Sequence, residues 1–311
     1  MEKKERVVVI IGPTAVGKTA ISIELAKRFS GEIISGDSMQ IYRGMDIGTA
    51  KISKEEMDGI PHHLIDIKNP EESFSAFDFQ KLVRKKITEI TKRNHLPMIV
   101  GGTGLYIQSV IYDYQFNDHS TDDNIRNNLY RRLELEGIAP LYQELKRIDP
   151  QAAENIHPNN ERRVIRALEI YYTTGQTMTE QKLNQQRELL YDVALVGLTM
   201  ERDVLYERIN KRVDQMIRQG LVKEAKVFYD QGLKNVQSTQ AIGYKELFHY
   251  FDGKISLDEA IEQIKKNTRR FAKRQLTWFR NKMDVEWFDM TDSQKFGENL
   301  EKISKFIAGK F

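Results

Sequence analysis

The chain has 311 residues, a formal net charge of +3 and no cysteine. Without cysteine the protein has no disulfide, no thiolate nucleophile and no cysteine-ligated zinc or iron–sulfur centre. Its 40% apolar and 30% charged residues are typical of a globular chain. No apolar run approaches the roughly 20 residues of a membrane span. The short apolar run near the start is broken at Gly12 and Pro13, so we expect no signal peptide and a cytoplasmic location.

The first part of the chain alternates strand and helix patterns. Arg6–Ile11 is a continuous β-branched run that predicts a buried parallel strand, and Lys18–Phe29 follows with helical spacing. The next predicted elements are strands at 32–34 and 63–65, a helix at 77–93 and a strand at 96–100. This alternation predicts an α/β fold, in which helices cover both faces of a parallel sheet.

The pattern changes after residue 115, where a polar, helix-prone region begins. The helices predicted in this region span residues 123–136, 139–147 and 160–172. The elements predicted after it are a strand at 192–198, helices at 203–218, 222–230, 244–250 and 257–280, and a strand at 285–288. We therefore predict an α/β core formed by residues 1–115 and 191–311, with an inserted all-helical domain at 116–190.

A phosphate-binding loop follows the first strand. It matches the pattern G-x-x-x-x-G-K-[ST] with the residues Gly12, Pro13, Thr14, Ala15, Val16, Gly17, Lys18 and Thr19. In such a P-loop, backbone N–H groups and a helix N-terminus surround the phosphates, and the lysine neutralises their oxygens. The threonine hydroxyl is suited to Mg²⁺. We predict that this loop holds a diphosphate, that Thr19 ligates Mg²⁺, and that the core has the P-loop NTPase-like fold.

The motif leaves the identity of the diphosphate open. A P-loop NTPase usually presents a magnesium-binding aspartate at the end of a second apolar strand. The segment 96–104 ends in glycine and threonine instead, which weakens the ATPase interpretation. Whether ATP or GTP binds at this loop stays open.

Two polar residues follow predicted core strands. Asp37 comes after the strand at 32–34 and Thr103 after the strand at 96–100, so both are predicted beside the P-loop, where ligands of open α/β sheets bind. A carboxylate there can take a proton from a nucleophile, but Asp37 is equally consistent with a helix N-cap or an indirect magnesium partner. Thr103 is consistent with a hydrogen bond to phosphate or nucleophile, or with a turn residue.

Six segments resemble the tRNA dimethylallyltransferase family, also named the IPP transferase family. They are GPTAVGKT from Gly12, SGDSMQIYRGMDIGTAK from Ser35, VGGTGLYI from Val100, ERRVIRALEIYYTTG from Glu161, STQAIGYKEL from Ser238 and RRFAKRQLTWFR from Arg269. The segments run in the family's order and span nearly the whole chain. The P-loop is common to many families, whereas the second and last segments are much more selective.

The resemblance implies transfer of a dimethylallyl group from dimethylallyl diphosphate to the exocyclic amine, N6, of the adenosine 3′ of the tRNA anticodon, with release of pyrophosphate. It implies Asp37 as the general base, and Thr103 and Arg126 as further residues that contact substrate at the catalytic centre. The residues that it places on tRNA are Asp37, Ser38, Met39, Gln40, Thr103, Arg126, Glu161, Arg162, Arg163, Val164 and Ile165. It also implies that the P-loop holds the diphosphate with the help of Mg²⁺, and that the protein is a monomer without an obligate protein partner that binds the anticodon stem-loop.

A basic segment supports an RNA partner. Residues 263–283 contain eight Lys or Arg and no acidic residue, and cations four apart share a helical face. Together with the resemblance, this spacing predicts that Arg269, Arg270 and Arg274 contact tRNA phosphates. The alternative is a solvated helix whose interleaved aromatic residues pack on the core.

Two other functions share the P-loop. A small-molecule kinase would also use an aspartate beside the loop, but a small acceptor requires neither the helical insertion nor the basic helix. A GTPase switch would carry the motif NKxD after a core strand, and residues 281–284 match those letters only after the basic helix. The adjacent His62 and His63 point to opposite faces of a strand, so structural roles are expected for them.

Overall fold

A computed structural model describes residues 4–116, 123–183 and 188–311. The chain divides into two compact units. We call Met1–Tyr112 with Leu189–Phe311 the core unit, and Asp113–Glu188 the insertion. These boundaries lie a few residues from those proposed from the sequence.

The core unit is built on one parallel sheet. Its strands are β1 (Arg6–Ile11), β2 (Gly31–Ser35), β3 (His62–His63), β4 (Leu96–Gly101), β5 (Asp192–Thr199) and β6 (Glu286–Asp289). The six strands are ordered β3-β2-β4-β1-β5-β6, and every neighbouring pair is parallel. The predicted α/β fold with a parallel sheet is confirmed.

Helices cover the sheet and form the insertion. In chain order they are α1 (Lys18–Phe29), α2 (Ala76–Lys92), α3 (Gly104–Ile111), α4 (Asp123–Glu136), α5 (Ile138–Ile148), α6 (Pro150–Asn155), α7 (Glu161–Thr174), α8 (Met178–Leu183), α9 (Arg202–Gln219), α10 (Leu221–Asp230), α11 (Tyr244–Phe251), α12 (Leu257–Lys282) and α13 (Phe296–Lys310). Short 3₁₀ turns lie at Ser238–Gln240 and Ser293–Lys295. Helices α4 to α8 belong to the insertion.

The continuous apolar run of β1 is explained by burial on both sheet faces. Val7, Val9 and Ile11 belong to one apolar cluster, which also contains buried residues of α2, α3, α11 and α12. Val8 and Ile10 belong to a second cluster on the opposite face, with buried residues of α1, α9 and α13. Because alternate residues of a strand point to opposite faces, a strand buried on both sides must be apolar throughout.

The edge of the sheet differs from the sequence prediction. The strand predicted at 63–65 is the two-residue strand β3, because Leu64 adopts φ of 62° and leaves the extended conformation. His63 Nε2 lies 2.6 Å from an oxygen of the buried Glu32 carboxylate on β2. His63 thus has a structural contact, as expected, whereas His62 lines the cavity described below.

The sequence patterns did not predict the short helices α6 and α8 of the insertion, nor α3 and α13 of the core unit. Helix α3 is apolar almost all round, and a short run without a polar face carries little helical periodicity. Helix α13 buries Leu300, Ile303 and Ile307 at helical spacing, a signal that is present in the sequence.

The insertion has an apolar core of its own. Its buried members are Leu129, Leu141, Leu145, Ala152, Ala153, Ile156, Val164, Ile165, Ala167 and Leu168. The buried Asp149 carboxylate joins two of its helices, because it accepts hydrogen bonds from the Ala152 N–H at 3.0 Å and the Thr179 hydroxyl at 2.7 Å. Within the described ranges, no helix of either unit is long and apolar enough to cross a membrane.

Candidate active site

The P-loop lies where β1 ends and α1 begins, at the carboxyl edge of the sheet. Gly17, the residue before α1, has φ of 106°, a backbone conformation that residues other than glycine rarely adopt. Helix α1 has no side-chain cap at its N-terminus and no acidic residue in its first turn. The partial positive charge of this helix end is therefore uncompensated, which suits an anionic ligand.

Lys18 is folded over this loop. Its Nζ donates hydrogen bonds to the carbonyl oxygens of Gly12, at 3.0 Å, and Pro13, at 2.8 Å. Burial lowers the pKa of Lys18 to about 8, with the Arg212 charge acting in the same direction and the Asp37 carboxylate opposing it. An added phosphate charge favours the ammonium form, so binding of a diphosphate and protonation of Lys18 support each other.

Asp37 follows β2 and is held in a turn. Its Oδ1 accepts a hydrogen bond from the Met39 N–H at 2.8 Å, and no helix begins there, so it is not a helix cap. Burial raises the pKa of Asp37 above its ordinary value, although the Met39 N–H and the charges of Lys18 and Arg212 oppose that rise. A carboxylate with a raised pKa is a better proton acceptor than a solvated one.

The other residues predicted around Asp37 divide between the cavity and its support. Thr103 Oγ1 accepts a hydrogen bond from the Ser38 N–H at 3.2 Å, which joins the end of β4 to the turn after β2. Met39 packs partly against the apolar cluster of the core unit. Gln40 lines the cavity, and the Ser35 hydroxyl donates to its Oε1 at 3.0 Å.

These elements surround a cavity of about 1000 Å³. The P-loop residues Thr14, Ala15, Gly17, Lys18 and Thr19 line it together with Asp37 and Gln40. The remaining walls are the segment 46–53, the end of β4, and side chains of α9 and α12. The volume is within the usual range of ligand sites. The predicted base and the predicted diphosphate loop therefore line the same cavity.

Helix α9 contributes two arginines that the sequence analysis did not single out. Arg208 and Arg212 are one turn apart and both line the cavity. Burial lowers the pKa of Arg212, and the carboxylates of Asp37 and Glu56 oppose that shift. A second cation beside Lys18 is suited to a ligand with more than one phosphate. The four-residue spacing was visible in the sequence, but many solvated helices show the same spacing.

Gln275 on α12 was also missed, and it joins two loops of the site. Its Oε1 accepts a hydrogen bond from the Thr14 N–H of the P-loop at 3.0 Å, across 261 residues of sequence. Its Nε2 donates to the Gly102 carbonyl at 3.1 Å. A Cβ on Gly102 would lie 2.0 Å from Gln275 Nε2, so a side chain at residue 102 would displace the Gln275 amide from its present position.

The basic residues of α12 fall into two groups. Arg269 is half-buried and donates to Asn210 Oδ1 of α9 at 2.5 Å, and Lys265 forms an ion pair with Asp214 of the same helix at 2.9 Å. Arg270 and Arg274 are exposed. Of the three arginines predicted on tRNA, Arg269 therefore has a partner within the protein, and the other two face solvent.

The insertion holds the remaining predicted site residues. Arg126 pairs with the buried Glu169 carboxylate at 2.8 Å, and Arg166 pairs with it at 3.0 Å. At the start of α7, three predicted residues are exposed: Glu161, Arg162 and Arg163. The side chains of Val164 and Ile165 pack in the core of the insertion, so they have no exposed surface for RNA.

The residues at the P-loop fit a magnesium ion that is shared with a diphosphate. Thr19 lines the cavity at the start of α1, and its hydroxyl is an oxygen donor of the kind that Mg²⁺ prefers. In the described ranges, no three His, Asp or Glu side chains gather into a metal site of their own. Mg²⁺ commonly takes one or two protein ligands and completes its shell with phosphate oxygens and water.

Comparison with known proteins identifies the family. The profile of the family described as IPP transferase matches residues 40–282. A tRNA dimethylallyltransferase of Anoxybacillus flavithermus is 64% identical over 309 residues, covering 99% of this chain and 97% of its relative. The chain belongs to the IPP transferase family. The resemblance seen in the sequence is thereby confirmed.

Solved structures agree with this membership in the IPP transferase family. The full-length tRNA isopentenylpyrophosphate transferase of Bacillus halodurans is 57% identical, with a TM-score of 0.75 over 99% of this chain and 97% of that one. A eukaryotic dimethylallyltransferase described as acting on tRNA is 32% identical, with a TM-score of 0.82 over 96% of this chain and 77% of that one. This chain thus shares its overall fold with these two solved structures.

Proposed function

We propose that this member of the IPP transferase family is a tRNA dimethylallyltransferase. It transfers the dimethylallyl group of dimethylallyl diphosphate to N6 of the adenosine 3′ of the anticodon and releases pyrophosphate. The observation that carries the proposal is the meeting of the P-loop, the cations Lys18 and Arg212, and the half-buried Asp37 at one cavity. Family membership supports dimethylallyl as the transferred group, because relatives of nearly the same length carry the name tRNA dimethylallyltransferase.

The P-loop and its two cations bind and activate the donor. The diphosphate lies against the N-terminus of α1, with Lys18 and Arg212 on its oxygens. In the reaction the bond between C1 of the dimethylallyl group and the diphosphate oxygen breaks, and the electron pair leaves with pyrophosphate. The cations stabilise that charge as it develops. The Thr19 hydroxyl would hold Mg²⁺, which would supply further neutralisation of the diphosphate.

Asp37 accepts the proton that the amine loses. The adenine N6 lone pair is delocalised into the ring, so the amine is a weak nucleophile and needs a base. As the new bond between N6 and C1 forms, one N6 proton passes to the Asp37 carboxylate. The partly enclosed site limits competing attack by water on the donor.

Contacts with tRNA are assigned to exposed basic residues. Arg270 and Arg274 on α12, and Arg162 and Arg163 on α7, present charge to solvent and suit phosphates of an RNA backbone. An anticodon loop is single-stranded, so its adenosine enters a pocket at low unstacking cost. Arg126 of the insertion, which is paired with Glu169, is proposed to contact the tRNA substrate.

A transfer assay tests the proposal. Purified protein is mixed with unmodified tRNA, Mg²⁺ and dimethylallyl diphosphate labelled in the alkyl group. Label is expected in tRNA, and none in a transcript whose target adenosine is replaced by guanosine. Label-free tRNA together with phosphoryl transfer from ATP in a parallel reaction would contradict the proposal and favour a kinase.

A further inference from the structure

A carboxylate that does not line the cavity binds the backbone of a segment that does. Glu224 on α10 accepts hydrogen bonds from three consecutive backbone N–H groups: those of Asp46 at 3.0 Å, Ile47 at 2.8 Å and Gly48 at 3.0 Å. Both carboxylate oxygens take part. Hydrogen bonds to an ionised acceptor are about twice as strong as neutral ones, so this arrangement restrains the segment 46–48 firmly.

Tyr244 on α11 contacts both Glu224 and the segment 46–48. Its hydroxyl donates to Glu224 Oε1 at 2.5 Å, and its ring is fully buried. A Cβ on Gly48 would lie 2.6 Å from the Tyr244 ring, closer than any real contact. The backbone of the segment therefore lies directly on the ring, and Gly48 is required there because a side chain has no room.

The segment that Glu224 binds continues along the cavity wall, and hydrogen bonds connect it to the turn of Asp37. Residues 46, 47 and 49–53 line the cavity. Gln40 Nε2 donates to the carbonyl oxygens of Thr49, at 3.3 Å, and Ala50, at 3.4 Å. Gln40 Oε1 accepts from the Ser35 hydroxyl, which also accepts from the Asp37 N–H at 3.4 Å. A continuous set of hydrogen bonds thus joins the segment to the residue proposed as the base.

We infer that Glu224 and Tyr244 are positioning residues for the transfer reaction. They hold the segment 46–53, and through Gln40 the turn that carries Asp37, in the geometry that proton transfer requires. The P-loop lies outside this set of hydrogen bonds, so we expect pyrophosphate binding to be retained when the set is disturbed. The inference rests on the proposed function, because it assigns Asp37 the role of base.

Glu224→Gln and Tyr244→Phe test the inference in the full-length protein. The amide keeps the size of the carboxylate but turns an N–H₂ group toward backbone donors, and phenylalanine keeps the ring while it removes one hydrogen bond. We expect kcat for dimethylallyl transfer to fall about tenfold or more in Glu224→Gln and less in Tyr244→Phe. The dissociation constant of pyrophosphate, measured by calorimetry with Mg²⁺, is expected to stay unchanged.

Tyr229→Phe is the matched control. Tyr229 also lies on α10 and donates to a carboxylate, Asp252 Oδ1, at 2.7 Å, but it does not line the cavity. Its kcat should equal that of wild type. Gly48→Ala gives a second route, since its methyl group displaces the segment from Tyr244 and should also lower kcat without a loss of pyrophosphate affinity.

The outcomes separate the two proposals. A wild-type protein that transfers no dimethylallyl group overturns the proposed function. An active wild type with unchanged kcat in Glu224→Gln, or with a parallel fall of kcat and pyrophosphate affinity, overturns the positioning role. Selective loss of kcat in Glu224→Gln and Gly48→Ala, with Tyr229→Phe active, supports it.

Discussion

The chemistry proposed for Asp37 depends on its surroundings. An aspartate in water is a weak base, with a pKa of about 3.9. Burial at the end of β2 raises the pKa of Asp37, and the opposing charges of Lys18 and Arg212 do not fully offset it. The same two cations face the cavity that is proposed to hold the diphosphate. The side chain is therefore a stronger base next to a site prepared for anions.

Asp37→Asn should separate catalysis from binding. Loss of the general base is expected to lower kcat for transfer by about a hundredfold or more, with pyrophosphate affinity retained. Because the folded-state pKa is raised above the unfolded value, ionisation of Asp37 costs stability as pH rises through it. The melting temperature of the variant at pH 7 should thus be no lower than that of wild type.

Asp58→Asn provides the control for this variant. Asp58 is exposed, lies outside the cavity and has φ of 49°, which asparagine accommodates. Its turnover should match wild type. The wild-type pH profile of kcat should fall toward acid, since proton transfer requires the ionised carboxylate. Equal turnover of Asp37→Asn and wild type would remove Asp37 from the role of base.

At the scale of elements, α12 combines two tasks. Its buried face packs into the core through Ala260, Ile264 and Phe279, and its Gln275 holds the P-loop. Its opposite face presents Arg270 and Arg274 to solvent. The helical repeat makes this division possible, because residues three and four apart share a face. One helix thus joins the donor site to a surface suited to RNA.

Removal of the two exposed arginines tests that surface. Arg270→Gln with Arg274→Gln should weaken tRNA binding, and the slope of log affinity against log salt should shrink by about one for each phosphate that is no longer neutralised. Filter binding over a salt series measures both quantities. Pyrophosphate affinity should not change, since neither side chain lines the cavity.

The control removes equal charge from another helix. Lys302→Gln with Lys305→Gln on α13 should leave the salt slope of tRNA binding as in wild type. Arg269 is omitted from the test because it is bonded to Asn210, so its replacement would also disturb the packing of α9. An unaltered salt slope in the Arg270 and Arg274 variant would assign α12 to packing alone.

At the scale of the whole molecule, the chain consists of two units with separate apolar cores. The ends of the insertion meet in the core unit, where Tyr112 and Leu189 form an antiparallel bridge and the Leu190 N–H donates to the Ile111 carbonyl at 3.0 Å. A short linker can therefore replace the insertion without a large change in the core.

Replacement of residues 113–188 by a short glycine–serine linker tests this division. The core unit is expected to unfold cooperatively and to bind pyrophosphate with wild-type affinity. Affinity for tRNA should fall about tenfold or more, because the exposed arginines of α7 are removed. Calorimetry and filter binding measure the two ligands. Wild-type tRNA affinity in the shortened protein would contradict the role assigned to the insertion.

The sequence by itself determined the fold class, the P-loop and the family. A β-branched run such as β1 and a contiguous motif such as 12–19 act over few neighbouring residues, so their consequences can be read locally. The candidate base was also visible, since Asp37 directly follows a strand. The sequence placed the edge strand at 63–65 instead of His62–His63, because the ends of so short a strand depend on packing. It did not reveal the helix α3, because an apolar run carries little helical periodicity.

Only the tertiary structure decided which distant side chains serve the site. Arg212, Gln275 and Glu224 lie far along the chain from the P-loop and from Asp37, and on their own helices they look like ordinary polar residues. Folding brings Arg212 and Gln275 to the cavity, and it brings Glu224 to the segment 46–48, which forms part of the cavity wall. Conversely, burial removed Val164 and Ile165 from the exposed surface. A side chain's role in this site depends on which neighbours the packed helices give it, and a linear pattern carries no record of those neighbours.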